Sequence, residues 1–119
     1  MNWFWIFLGG GAGACLRYGI GRLTTLVYLG KFPLATLIAN VLATFILGVL
    51  VFAEPNWFST KAKLFAIVGL CGGLSTFSTF SYETYFLAIN QQWALVLVNV
   101  FISVSACIFM LWLLSKVAG

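Results

Sequence analysis

Residues 72–83 read Gly-Gly-Leu-Ser-Thr-Phe-Ser-Thr-Phe-Ser-Tyr-Glu, GGLSTFSTFSYE. Two adjacent glycines lead a segment whose last ten residues carry six hydroxyl side chains and two phenylalanines. Glycine destabilises a helix by about 1 kcal/mol relative to alanine. A pair of them followed by β-branched and hydroxylated residues predicts an interruption. The stretch closes an uncharged run of 19 residues from Leu64 to Tyr82, so the interruption falls within a segment of membrane-spanning length.

Composition places the whole chain in a bilayer. Apolar residues make up 63%, against roughly 45–50% in an ordinary soluble domain. Charged residues are 7%, too few to cover the surface of a soluble fold. The chain has no histidine and two carboxylates, Glu54 and Glu83, a poor inventory for acid–base catalysis; no enzyme activity is expected. Six basic residues give a net charge of +4. They are scattered beside apolar runs, as membrane-interface anchors are, and do not form a nucleic-acid-binding patch. Cys15, Cys71 and Cys107 stand alone in apolar surroundings and read as free thiols. The N-terminus lacks the positive start of a secretion signal, so the first segment is expected to stay in the mature protein.

Working outward from the stretch gives four helices, at about 3–28, 33–53, 62–89 and 93–116, in a single integral-membrane domain spanning 1–119. Phe32 to Ala53 is an uncharged run of 22 residues, and Thr84 to Ser115 one of 32, divided by Asn90-Gln91-Gln92. The first span is less clean. Trp3 to Leu16 gives 14 uncharged residues, so its helix must continue through Arg17. The expected fold is therefore all-α, with four transmembrane helices and a break in the third. Lys61, Lys63 and Lys116 fall on one side of the membrane. Arg22 and Lys31 fall on the other, with Arg17 a third if it snorkels that way. Three against three sets no orientation. Either the bias is weak by chance, or the chain inserts both ways up and pairs as an antiparallel dimer.

Polar residues inside the spans need partners. Thr36, Asn40 and Thr44 form an i, i+4, i+8 stripe, with Gly48 beyond. Asn99, Ser103 and Cys107 repeat the spacing on the fourth helix, while Ser105 points elsewhere. Such residues either join helices or line a water-filled track. Gly9-Gly10-Gly11-Ala12-Gly13-Ala14 has the small-xxx-small spacing of closely packed helices; no Gly-Lys-Ser/Thr follows that would make it a phosphate loop. Unwound backbone at the mid-membrane break must face protein, water or an ion. Phe77 and Phe80, at i and i+3, share a face. They either pack, or offer ring faces to a cation or positive ring edges to an anion.

Three signatures in order, GGGAGACLRYGIG (9–21), the Asn of ATLIAN (35–40) and GLCGGLSTFSTFSYE (69–83), resemble the small bacterial fluoride channels known as Fluc or CrcB. The resemblance covers essentially the whole chain. It implies a dual-topology antiparallel homodimer in the bacterial inner membrane that passively exports fluoride from the cytoplasm and lowers its toxicity. It also implies a structural, untransported Na⁺ at the dimer centre, held by the backbone carbonyls of Gly72 and Ser75. Fluoride pores would be lined by Asn40, Phe77, Phe80 and Ser103, with Thr76 and Thr79 beside them. Arg17 and Glu83 would be pore-mouth or structural charges. The alternative is a small dual-topology multidrug exporter. Proton-coupled export needs a membrane-embedded carboxylate; helix one has none, and Glu83 is expected nearer an interface.

Overall fold

The computed structural model describes residues 1–118. It is all-helical, with four spans running up and down. Helix α1 covers Asn2–Val27 and α2 covers Leu34–Ala53. The third span, Thr60–Ile89, is composite. It begins with α3 (Thr60–Lys63), widens into a π-helical stretch (Leu64–Cys71), returns to α geometry in α4 (Gly72–Leu74), breaks, and resumes as α5 (Phe77–Ile89). The last helix, α6, covers Trp93–Ala118. Three of the four spans are long and apolar enough to cross a membrane: α2, Thr60–Ile89 and α6. α1 carries Arg17 and Arg22 and is more polar, but at 26 residues it is about 39 Å long and exceeds the hydrocarbon thickness.

Local chemistry sets the ends. Pro33, which has no N–H to leave unsatisfied, stands at the start of α2. Ser59 caps the third span by accepting the Ala62 N–H at 3.2 Å. Glu54 closes α2 in a left-handed conformation (φ 40°), and Gln91 makes the second positive-φ turn (φ 60°) between α5 and α6. The connections are too short for anything but antiparallel neighbours.

The glycines of α1 and the third span meet backbone to backbone. A Cβ on Gly69 would lie 2.8 Å from the Gly9 Cα and 2.8 Å from the Ile6 carbonyl oxygen. One on Gly13 would lie 2.7 Å from the Leu74 nitrogen, and one on Gly73 would collide with the Gly10 carbonyl. This contact fixes the first half of the third span against α1. A small core of Ala39, Ala43 and Leu74, flanked by Ile20 and Ile46, fills the space against α2. Outside it, large apolar side chains such as Leu26, Phe101 and Ile108 are exposed, as a lipid-facing surface requires.

The break is where the sequence predicts one, but two residues later than the glycines. Gly72 is helical (φ −64°, ψ −37°), and Gly73 belongs to α4. Ser75 (φ −79°, ψ 156°) and Thr76 (φ −154°, ψ 123°) are the extended residues. Gly73 is small because α1 lies against it. The interruption comes from side chains that outcompete the helix ladder.

Candidate anion pocket at the helix break

Asn40 of α2 reaches across to the break. Its Oδ1 accepts the Thr76 N–H at 2.8 Å, and its Nδ2 donates to the Thr76 carbonyl at 3.4 Å. The first bond removes the i+4 donor that the Gly72 carbonyl would have had in a continuous helix. Thr76 Oγ1 then accepts the Thr79 N–H at 3.2 Å, capping α5. That diverts the i+4 donor of the Ser75 carbonyl. The Arg17 guanidinium donates from Nε to the Gly73 carbonyl at 3.2 Å. Asn40 and Thr76 thus take two donors out of the ladder, and Arg17 of α1 supplies a new donor to the Gly73 carbonyl between them.

The pocket beside this break, about 260 Å³, is lined by Asn40, Thr44, Ser75, Thr76, Phe77, Phe80, Ser103, Val104 and Cys107. Five of the expected pore residues (Asn40, Thr76, Phe77, Phe80 and Ser103) therefore converge on one space. Thr79 does not line it and contributes its N–H to the cap. The two rings lie 5.7 Å apart at 36° to one another, and Phe77 is 78% exposed. Gly72 and Ser75 also border a second opening of about 250 Å³ with Ala43, Thr44, Leu47, Ile67 and Cys71. A Cβ on Gly72 would meet nothing within 4 Å.

The α2 stripe divides by role. Thr44 donates to the Asn40 carbonyl at 2.8 Å and, with Asn40, lines the pocket. Thr36 is buried, and Gly48 lies under Leu111 and Leu114 of α6. The α6 stripe divides too. Ser103 and Cys107 line the pocket, whereas Asn99, 1% exposed, bridges to α5. Asn99 Nδ2 donates to Thr84 Oγ1 at 2.9 Å, the Thr84 hydroxyl donates to the Phe80 carbonyl at 2.7 Å, and Ser103 Oγ donates to Asn99 Oδ1 at 3.2 Å. Sequence reasoning missed Thr84. Its i+4 spacing from Phe80 is ordinary, and only the register of α5 on α6 shows that it meets Asn99.

Glu83 lies away from the pocket, at the loop end of the bundle. With Lys31, Phe32, Pro33, Tyr82 and Phe86 it borders a separate cavity of about 280 Å³, and its Oε1 is buried without a hydrogen-bond partner. Arg17 is bound to the break itself, on the side held by α1.

The arrangement is chemically asymmetric. The Ser75 hydroxyl donates to the Cys71 carbonyl at 2.8 Å, as Thr44 does to Asn40. Neither proton faces the pocket. The second N–H of Asn40 and the positive edges of Phe77 and Phe80 remain to meet an occupant, and both suit an anion.

Comparisons with known proteins point the same way. A family model described as "CrcB-like protein, Camphor Resistance (CrcB)" matches residues 4–114. A protein of Shewanella denitrificans named "Fluoride-specific ion channel FluC" is 40% identical over 113 residues, 94% of this chain and 91% of its own length. A protein of Pyrococcus furiosus with the same name is 42% identical over 111 residues, 91% of this chain and 88% of its own.

Proposed function

The chain belongs to the CrcB family, and from that premise we propose that it is a passive, fluoride-selective channel of the cell inner membrane that drains fluoride from the cytoplasm. The observation that carries the proposal is the convergence of Asn40, Thr76, Phe77, Phe80 and Ser103 on one pocket at mid-span. Fluoride is small and strongly hydrated, so an apolar path must replace its water shell. The Asn40 amide and the ring edges are donors that need no counter-cation to do so.

The working unit in this reading is an antiparallel homodimer. Two features support it. The evenly divided basic residues favour no single orientation. Phe77, which lines the pocket, is 78% exposed in one copy, so a pocket wall stays open until another surface covers it.

Na⁺ at the dimer centre fits the residues. The carbonyls of Gly72 and Ser75 lose their helical donors to Asn40 and Thr76, and both residues border the opening where Gly72 leaves space. Hard, uncharged oxygen donors suit a monovalent cation. Bound there, it would satisfy backbone oxygens that have no water to turn to. It is structural, and fluoride does not pass through its site.

Fluoride efflux from liposomes, followed with a fluoride-selective electrode, tests the function. Rapid efflux that dissipates a gradient without accumulating against one is expected, with chloride retained. Concentrative, pH-driven transport would indicate the exporter class instead. The position of Glu83 beside the Gly30–Pro33 loop speaks against that outcome.

A further inference from the structure

We propose that Thr84 and Asn99 are positioning residues that set the direction of the Ser103 hydroxyl, and that Ser103 is the pore's turning donor. At rest its proton is committed to Asn99 and its lone pairs face the pocket; a passing anion must draw the proton round. The inference rests on the anion-channel reading above.

The direction follows from hydrogen-bond chemistry alone. The Phe80 carbonyl can only accept, so the proton in the 2.7 Å contact belongs to Thr84. Thr84 Oγ1 has then spent its single proton and can only accept. The Asn99 atom 2.9 Å away must be the NH₂ group. That fixes the amide, and Oδ1 is the atom turned to Ser103. An amide oxygen cannot donate, so the proton in the 3.2 Å contact is that of Ser103. The series is one-way: Ser103 to Asn99, Asn99 to Thr84, Thr84 to the Phe80 backbone. Its middle is buried, with Asn99 1% exposed, and Ser103, 8% exposed, opens only toward the pocket.

Ser103 differs from Thr44 and Ser75, two other hydroxyls of the pocket. Thr44 and Ser75 give their protons to backbone carbonyls of their own helices, at 2.8 Å each. These acceptors are fixed. Ser103 gives its proton to a side chain at a longer 3.2 Å, a weaker bond. Of these three donors, it is the one whose hydroxyl can turn about its Cβ–Oγ bond toward an anion at least expense.

The test is a double-mutant cycle read by fluoride efflux from liposomes. Thr84→Val keeps the shape but removes both the acceptor for the Asn99 amide and the donor to Phe80. The amide is then free to flip its NH₂ toward Ser103, which releases the serine proton. Flux is expected to rise by about threefold to tenfold, the equivalent of one hydrogen bond. Asn99→Leu removes the acceptor outright and should raise flux by a similar factor. Thr84→Ser restores the hydroxyl and should return flux to that of the unaltered chain. In the Ser103→Ala background, Thr84→Val and Asn99→Leu should each change nothing further. Equal effects with and without Ser103 would mean that the pair merely packs α5 on α6, and would overturn the inference. So would a loss of flux in both variants with the protein still folded and monodisperse. Absence of fluoride flux in the unaltered chain would overturn the channel reading itself, and the inference with it.

Discussion

The two halves of the third span are built on opposite principles. Before Ser75 the span is held by contact: Gly69 and Gly73 lie against Gly9 and Gly10 with no room for a methyl group. After Thr76 it is held by hydrogen bonds and little else. α5 packs chiefly on α6, and Phe77, Tyr82, Tyr85 and Phe86 stay exposed around it. The first half is anchored to α1 within one copy. The second supplies the chemistry and leaves it uncovered. Rigidity and function meet at a two-residue seam, made by the side chain of Thr76 within it and that of Asn40 from α2.

The sharpest way to break this contrast is to add one methyl group on either side of it. Gly69→Ala should cost about 1–3 kcal/mol or more, because backbone on both helices blocks the new carbon and cannot yield as a side chain would. Little folded protein should survive detergent extraction, as size-exclusion chromatography would show. Gly72→Ala places its methyl in open space within a single copy and gains about 1 kcal/mol of helix propensity. It should leave the protomer folded. If it abolishes dimers while monomers persist, a second copy covers that face, as proposed. Equal tolerance of both substitutions would deny that the first half is held by contact.

Asn40 tests the seam next. Asn40→Asp keeps the oxygen that accepts the Thr76 N–H, so the fold should persist. It puts negative charge beside the pocket, and fluoride efflux should fall by at least tenfold. Asn40→Leu removes both bonds to Thr76 and should destabilise the chain by about 1–3 kcal/mol, the penalty for a buried backbone group left unpaired. Thermal unfolding separates the two effects. Unchanged flux in the aspartate variant would make Asn40 a helix-joining residue only.

A smaller effect is expected from the rings. Phe77→Ile and Phe80→Ile keep bulk but lose the positive ring edge, taken to be worth about what an aromatic edge contact is, 0.5–1.5 kcal/mol. Efflux should fall about threefold to tenfold with the oligomer intact. Normal conduction by both would reduce them to packing. Smallest of all is Ser75→Ala. The Ser75 hydroxyl turns back to Cys71, and the carbonyl is unaltered, so flux should stay within about twofold. A large loss would mean that the side chain, and not the backbone, is the group that matters there.

Much of this was legible in the sequence because it rests on local rules. Uncharged runs located three spans, and helix ends fall within two residues of those expected. The small-residue spacing at Gly9 and Gly13 predicted close approach, and the structure adds Gly69 and Gly73 as the opposing partners. The double glycine at 72–73 located the break only to within two residues, because intrinsic propensity gave way to competition from Asn40 and Thr76 side chains. Such competition depends on which residues face one another across helices. For the same reason the sequence showed that Asn99 is costly to bury but not that Thr84 would satisfy it. It grouped Asn99 with Ser103 and Cys107, whereas the structure turns Asn99 to α5 and leaves Ser103 and Cys107 on the pocket. The π-helical stretch at Leu64–Cys71 left no signal that composition or periodicity could read.

The Asn40 amide meets Thr76 as one strand of a sheet meets another, offering a C=O to its N–H and an N–H to its C=O. A scrap of β-ladder one rung long is thereby embedded among helices. Its consequence concerns inheritance. The groups read at position 76 belong to the main chain and are common to every residue but proline; any good helix cap could replace the threonine without altering the pairing. The instruction to unwind is instead stored 36 residues upstream, in a helix that is itself unbroken. There a carboxylate matches one half of the rung, an alkyl chain neither, and glutamine holds its amide one carbon too far out. A lineage could rewrite much of the broken span and keep the break, yet lose it by a single change in α2.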